Sequence, residues 1–208
     1  MYKNFFKRFF DIVLSLFAII ILSPVYIIIS ILVFIFMGWP ILFKQPRPGK
    51  NEKIFNMYKF RTMANKKDKN GNLLPDKYRL TKFGMFLRET SLDEIPELFC
   101  ILNGAMSFVG PRPLLVKYLP YYTEEEHHRH DVRPGLTVWA QANGRNLVNW
   151  DDRFNLDLAY VNNISLKMDI KVILKTTSIV LKHEGITDGK TETMIFLDEE
   201  RKNKCKKK

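Results

Sequence analysis

Residues 91–96 read SLDEIP, which sets two adjacent carboxylates, Asp93 and Glu94, behind a hydroxyl and ahead of a proline. The S-x-x-E spacing fits a capping box, with the Ser91 hydroxyl accepting from the Glu94 amide while Glu94 reaches back to the Ser91 amide. Pro96 sits awkwardly in a helix capped at Ser91, because proline is most at ease at the first helical position. A start nearer Asp93 relieves that strain. Either start places both carboxylates at a helix N-terminus, where the macrodipole favours the ionised form by about 0.3–1 kcal/mol. An ionised carboxylate serves as a metal ligand or as a nucleophile toward phosphorus. It is a poor general acid.

Downstream, GPRPLL holds Arg112 between Pro111 and Pro113, whose rings fix φ and so present the guanidinium from a stiff backbone. Arginine is the planar, bidentate partner of phosphate. An isolated PRP reads as a surface turn, and the combination is what matters: Lys59 and Arg61 in YKFRTM, Arg88, and Arg145 in NGRN add cations to the same set. Carboxylates to hold Mg²⁺ and cations to hold phosphate are what phosphoryl transfer needs. HHRH at residues 127–130 has no recognised ligand spacing and follows EEE on what reads as a solvated helix face, so no metal is expected there. The chain contains no G-x-G-x-x-G, Walker or G-x-S-x-G motif, which argues against dinucleotide, P-loop and hydrolase chemistry. Cys100 and Cys205 form neither a C-x-x-C pair nor a disulfide framework, so reduced thiols on a cytosolic face are expected.

The elements that must position these groups begin with an apolar run from Ile12 to Met37, 26 residues without a charge. As a helix it reaches roughly 39 Å, more than the ~30 Å hydrocarbon core requires. It is too long for a cleavable signal peptide. Ser23 and Pro24 near its middle predict a kink or a break. Lys3, Lys7 and Arg8 precede the run and Lys44, Arg47 and Lys50 follow it, so the positive-inside tendency draws both ends to the cytosol. These residues leave a re-entrant helix and a kinked span both open. Beyond it a hairpin is expected around Ile54, Met57 and Phe60, an exposed loop over 65–79, a short amphipathic helix in LTKFGMFLRE, and helices over 92–103 and 151–162, the latter with Phe154, Leu158 and Val161 on one stripe. A further amphipathic helix over 165–185 carries Gly185 as its C-cap, packed on the core or lying in the headgroup plane.

The net charge of +11 is unevenly spread. Residues 44–88 hold 13 Lys/Arg against 3 acids, residues 89–200 hold 11 against 18, and residues 201–208 hold six basic residues and no acid. Basic stretches beside an apolar segment suit anionic lipid, a phosphorylated substrate or nucleic acid. Nucleic acid ranks last, since the cations cluster next to the apolar run and no binding motif accompanies them. A non-catalytic membrane scaffold that binds anionic lipid through its basic segments is the rival to an enzyme.

Five stretches, FKRFFDIVLSLFAIIILSPV, FKQPRPGKNEKIFNMYKFRTM, LRETSLDEIPELFCILNGAMSFVGPRPLL, HRHDVRPGLTVWAQANGRN and FNLDLAYVNN, together resemble the small monotopic polyprenol-phosphate phosphoglycosyl transferases of the bacterial sugar transferase family. The resemblance implies a mixed α/β, mainly helical monotopic membrane protein. Its re-entrant anchor over residues 1–42 is broken at Ser23-Pro24 and accompanied by amphipathic interfacial helices, and its catalytic domain covers 43–188 on the cytosolic face of the inner membrane; beyond the resemblance, the basic composition of residues 189–208 predicts a flexible tail. It further implies transfer of a phosphosugar from a UDP-sugar to polyprenyl (undecaprenyl) phosphate, giving UMP, as the first membrane step of glycan or glycoprotein synthesis ahead of downstream glycosyltransferases. Asp93 would be the covalent nucleophile and neighbour of Mg²⁺, with Glu94 beside it. Arg112 would bind phosphate, and Lys59, Arg88, Arg145 and Asp157 would contact substrate or shape the site. Ala105, Glu89, Glu97 and Val138 depart from the family's usual residues, which are aspartate, arginine or serine, glutamine and glycine respectively, and they put the local geometry of the site in question.

Overall fold

The computed structural model describes residues 1–143, 149–181 and 195–206. A π-helical turn, Tyr2–Phe6, runs into helix α1, Lys7–Met37, about 46 Å long at ~1.5 Å per residue. Asp11, Ser15, Ile29, Val33 and Met37 are buried, and Ala18, Ile19, Leu22, Val25 and Tyr26 pack between them. These positions recur every three or four residues and so form one stripe. The rest of the helix surface is exposed and apolar, including Ile20, Ile21, Ile28, Ile31, Phe34 and Ile35. Among the described residues α1 is the one helix long and apolar enough to cross a membrane.

Where a break was expected, helical structure continues through Ser23 and Pro24. Proline lacks the amide that would bond the carbonyl four residues back, and the Ser23 hydroxyl donates to that same Ile20 oxygen at 2.8 Å. The helix is docked at both ends on one body. At its start Lys7 Nζ lies 2.6 Å from Asp169, Arg8 donates to the carbonyls of Ile101 and Leu102, and Asp11 accepts from Ser107 and from the Phe108 amide at 3.0 Å. At its finish Arg61 donates to the carbonyls of Met37, Gly38 and Trp39. Arg61 therefore caps the C-terminus of α1, where a cation complements the dipole, instead of serving as a free phosphate ligand.

The expected hairpin is present as β1, Leu42–Pro48, and β2, Ile54–Phe60, antiparallel from Leu42↔Phe60 to Pro48↔Ile54. Each of its faces carries a residue packed into the core. Met57 packs with Leu98, Cys100 and Ile101, and Phe60 with Ile29, Val33 and Leu87. After the short helix α2, Asp76–Arg79, comes α3, Lys82–Glu89, capped by Thr81, whose hydroxyl accepts from the Gly84 amide at 2.9 Å. Gly84 is required there, since a Cβ would fall 1.8 Å from the Thr62 carbonyl oxygen. A 3-10 turn over Leu92–Glu94 leads to α4, Glu97–Leu102. Strand β3, Ser107–Val109, pairs in parallel with β4, Gly135–Thr137. Between them lie a 3-10 segment, Val116–Tyr121, helix α5, Glu124–His127, and a 3-10 turn, His128–Asp131. Helices α6, Trp139–Ala142, α7, Trp150–Asn162, α8, Leu166–Leu181, and α9, Leu197–Lys206, follow. The mixed, mainly helical class expected from sequence is what forms.

Three readings change. The tail was expected to be flexible, yet over 195–206 it carries α9, whose Leu197 is fully buried with Leu114, Tyr118, Trp150 and Phe154. Arg201 of α9 bonds Glu126 at 2.5 Å and Asp151 at 3.0 Å. HHRH is no solvated face, because Arg129 and His130 are buried. Val138, in place of a glycine, has φ −132°, an extended conformation that a β-branched residue adopts without strain. Gly185 and the boundary at 188/189 lie outside the described residues.

Candidate active site

The hairpin, α3, the turn after it and the PRP loop meet around a cleft of about 800 Å³, within the usual range of small-molecule sites. Lys59, Arg88, Asp93, Glu94 and Arg112 all line it. The sequence thus placed five of its candidates on one surface. Arg145 lies outside the described residues, and Asp157 is elsewhere.

The carboxylate pair is held by an unexpected local structure. Ser91 takes a left-handed conformation, φ 56°, and its side chain makes no cap, so the capping box predicted from S-x-x-E does not form. The box occurs instead at Thr123, which bonds Glu126 reciprocally at the start of α5. The left-handed kink at Ser91 folds the 3-10 turn back, so that Asp93 is only 8% exposed yet still faces the cleft. Pro96 then becomes the N-cap of α4, where its missing amide costs nothing.

Lys59 Nζ sits 2.5 Å from Glu94 and 3.1 Å from Glu97. Burial pulls the Lys59 ammonium down, but Glu94 and Glu97 outweigh this and hold its pKa above the usual value. Glu94 lies below the usual carboxylate range, because Lys59 and Arg112 overcome its desolvation. Asp93 has no such direct partner. Burial first, and then the Glu94 charge, raise it to about 6, with Lys59 and Arg88 acting only through space in opposition. The helix dipole was expected to keep Asp93 firmly ionised, and desolvation wins because the turn is short and the carboxylate buried. Asp93 is therefore mostly ionised at neutral pH, with a charge that its neighbours only partly offset. Arg88 is oriented by Thr62, whose hydroxyl accepts from its Nε at 2.9 Å.

Asp157 resolves as architecture. It is 1% exposed on α7 and accepts from Arg129 at 2.6 Å, while the same Arg129 nitrogen donates to the Arg112 main-chain oxygen at 2.7 Å. The pair braces the PRP loop from behind.

Sequence reasoning passed over Arg129, Glu97 and Arg47. Arg129 was hidden inside a histidine-rich motif, and Glu97 was noted only as a departure, although it lies one turn after Asp93 and shares Lys59. Arg47 was read as a charge flanking the apolar run, but it lines the cleft. Its place on β1 opposite Phe55, on the same strand face as Gln45, is the signal that could have found it.

The model of the bacterial sugar transferase family matches residues 2–183. The sugar transferase EpsL of Bacillus subtilis is 48% identical over 180 residues, covering 86% of this chain and 89% of that protein. The undecaprenyl-phosphate galactose phosphotransferase of Salmonella typhimurium is 37% identical, covering 88% of this chain and 42% of its own length. For the UDP-glucose:undecaprenyl-phosphate glucose-1-phosphate transferase of Escherichia coli the identity is 38%, with 82% of this chain and 39% of that one covered. The chain spans about two fifths of the length of these last two. It belongs to the bacterial sugar transferase family.

Proposed function

We propose that the protein transfers a phosphosugar from a UDP-sugar to polyprenyl (undecaprenyl) phosphate, leaving polyprenyl-diphosphate-sugar and UMP. The observation that carries this reading is the under-compensated Asp93 carboxylate in a cleft whose other charged walls include Lys59, Arg88 and Arg112. A carboxylate oxygen of Asp93 attacks the sugar-bearing phosphorus, and the bond from that phosphorus to the bridging oxygen breaks to release UMP. A phosphate oxygen of the polyprenyl acceptor then attacks the same phosphorus, and the phosphorus–Asp93 oxygen bond breaks to restore the carboxylate. Arg112 and Arg88 stabilise charge on the phosphoryl oxygens, and Lys59 fixes Glu94 beside the nucleophile.

Mg²⁺ binds through one or two carboxylates together with substrate phosphate oxygens. Asp93 fits that donor set, whereas Glu94 is engaged by Lys59. The described residues hold no group of three His, Cys, Asp or Glu side chains able to cage a metal alone. When bound, the ion would neutralise diphosphate charge.

A monotopic placement is supported by the attachment of both ends of α1 to one body, since a helix crossing the bilayer would carry its two ends to opposite sides, and the cations that flank α1 favour the cytosolic face of the inner membrane. Pro40, Leu42 and Phe43, just after α1, line the cleft and would bring a lipid-borne phosphate to it. On α8, Leu166, Ile170 and Leu174 are exposed at four-residue spacing, with Lys167, Lys171 and Lys175 beside them, as suits a helix in the headgroup plane. The test is UMP release from a panel of UDP-sugars with Mg²⁺ and undecaprenyl phosphate. Release that requires the lipid and is lost in Asp93→Asn supports the reading, and release unchanged in Asp93→Asn sinks it.

A further inference from the structure

The register of the hairpin sets Phe43, Gln45 and Arg47 of β1 on the same face as Lys59, Met57 and Phe55 of β2, because directly opposed residues in an antiparallel pair share a face. That face is a wall of the cleft, and Arg47 and Lys59 both line it. Lys59 has two carboxylate partners. Arg47 has none: among the described residues its side-chain partner is the amide oxygen of Gln45, which accepts from its NH2 group at 2.6 Å. Its Nε is buried without any partner.

The charge that acts most strongly on Arg47 is another guanidinium. Burial, and then Arg112, pull its pKa down to about 10, with Glu97 opposing more weakly. Arg112 forms no ion pair with any described residue either, and the loop that carries it is braced by Arg129 from behind. Two guanidiniums facing one cleft repel each other, and Glu97 acting on Arg47 and Glu94 acting on Arg112 offset this only through space, without an ion pair to either. An anion lying against both would relieve that repulsion. Gln45 spends its oxygen on holding the Arg47 fork and leaves the remaining donors for that anion.

We propose that Arg47 is a second anion-binding residue of the cleft, acting with Arg112 so that the two guanidiniums take the two phosphoryl groups of a diphosphate ester. Gln45 is its positioning residue. The inference rests on the reading of the cleft as a donor-substrate site, and it adds that the site selects a diphosphate over a monophosphate. One guanidinium suffices for a single phosphate, whereas a diphosphate carries enough charge to quench both.

The probes are inorganic pyrophosphate and inorganic phosphate, titrated calorimetrically against the full-length protein in detergent, as wild type, Arg47→Met and Arg47→Lys. Methionine keeps an unbranched apolar stem, and lysine keeps the charge without the fork. The inference expects wild type to bind pyrophosphate more tightly than phosphate. It also expects Arg47→Met to weaken pyrophosphate by about tenfold or more, the usual scale for a charge-assisted contact, with phosphate changed by less than about twofold, and Arg47→Lys to lie between. If pyrophosphate affinity is unchanged in Arg47→Met, the inference is overturned. Equal losses for both anions overturn it too, since Arg47 would then act by holding the fold of the cleft. Should Arg47→Met misfold by its melting temperature, Gln45→Leu replaces it, with a smaller loss expected for pyrophosphate alone. Selective pyrophosphate loss with no UDP-sugar turned over by wild type would remove the proposed function and leave the anion pair standing. Turnover of UDP-sugars with the same KM in wild type and Arg47→Met would do the reverse.

Discussion

The buried guanidinium of Arg129 donates to the main-chain oxygen of Arg112 at 2.7 Å, and from the same nitrogen to the Asp157 carboxylate at 2.6 Å. A residue of the 3-10 turn after α5 thereby ties α7 to the loop that carries Arg112 into the cleft. Arg129 also donates to the Tyr122 hydroxyl at 3.2 Å, so Asp157 balances a charge that is otherwise held only by neutral oxygens.

Asp157→Asn should therefore act twice. Breaking a buried pair by removing one charge costs about 3–5 kcal/mol, which thermal or urea unfolding will read as a clear loss of stability. Activity should fall beyond the loss of folded protein, because Arg129 no longer braces the Arg112 carbonyl. A variant with wild-type kcat/KM per folded molecule would show that the loop does not need the brace.

Asp93 sets a pH limb. With its pKa raised to about 6, the carboxyl is protonated and inert below that value and ionised above it. The rate of UMP release should rise with pH and level off, with the limb at about 6 or lower, since a bound Mg²⁺ would pull the carboxyl down. Lys59 lowers the Asp93 pKa through space, so Lys59→Met should move the limb to higher pH as well as reduce the plateau. An unmoved limb would mean that the titrating group is not Asp93.

Glu97 gives a stability effect of the opposite kind from an ordinary salt bridge. Burial leads the causes that raise its pKa from 4.5 to about 7, so the folded state keeps a proton that the unfolded state gives up. Stability is then fullest below about 4.5 and declines as pH rises toward 7, by at most roughly 3 kcal/mol at 1.36 kcal/mol per unit. Glu97→Gln cannot ionise and should match wild type near pH 5 but melt several degrees higher at pH 8. Equal melting curves at both values would show that Lys59 fully compensates the charge.

The candidate site was legible from sequence where a residue's chemistry is unusual for its setting: two carboxylates beside Pro96, and an arginine locked by two prolines. Phe154, Leu158 and Val161 announced α7 by period alone, and all three are buried. What escaped depends on contacts far apart in the chain. Ser91 looks like a cap, yet its backbone turns left-handed because Asp93 must tuck against β2 and α3. Arg129 looks solvated among histidines, yet Asp157, 28 residues away, draws it inside. The tail looks loose by charge, but one apolar residue, Leu197, fits a gap between Tyr118 and Trp150, and local composition cannot show that gap.

The path of α1 is fixed at both ends. Arg8, near its start, bonds the end of α4, and the carbonyls at its finish bond Arg61, so the two ends cannot be drawn to opposite sides of a bilayer without unfolding the domain between them. In lipid the Ile20 carbonyl left bare by Pro24 would cost several kcal/mol if nothing satisfied it, and the Ser23 hydroxyl does so from within the helix. Single cysteines at Asn4 and at Trp39, in a Cys100→Ala, Cys205→Ser background, should thus react with an impermeant maleimide from the same side of sealed inverted membrane vesicles. Labelling from opposite sides would mean that α1 crosses. Ser23→Ala should keep the same-sided pattern but lower the yield of membrane-bound, folded protein, because the bare carbonyl then faces hydrocarbon.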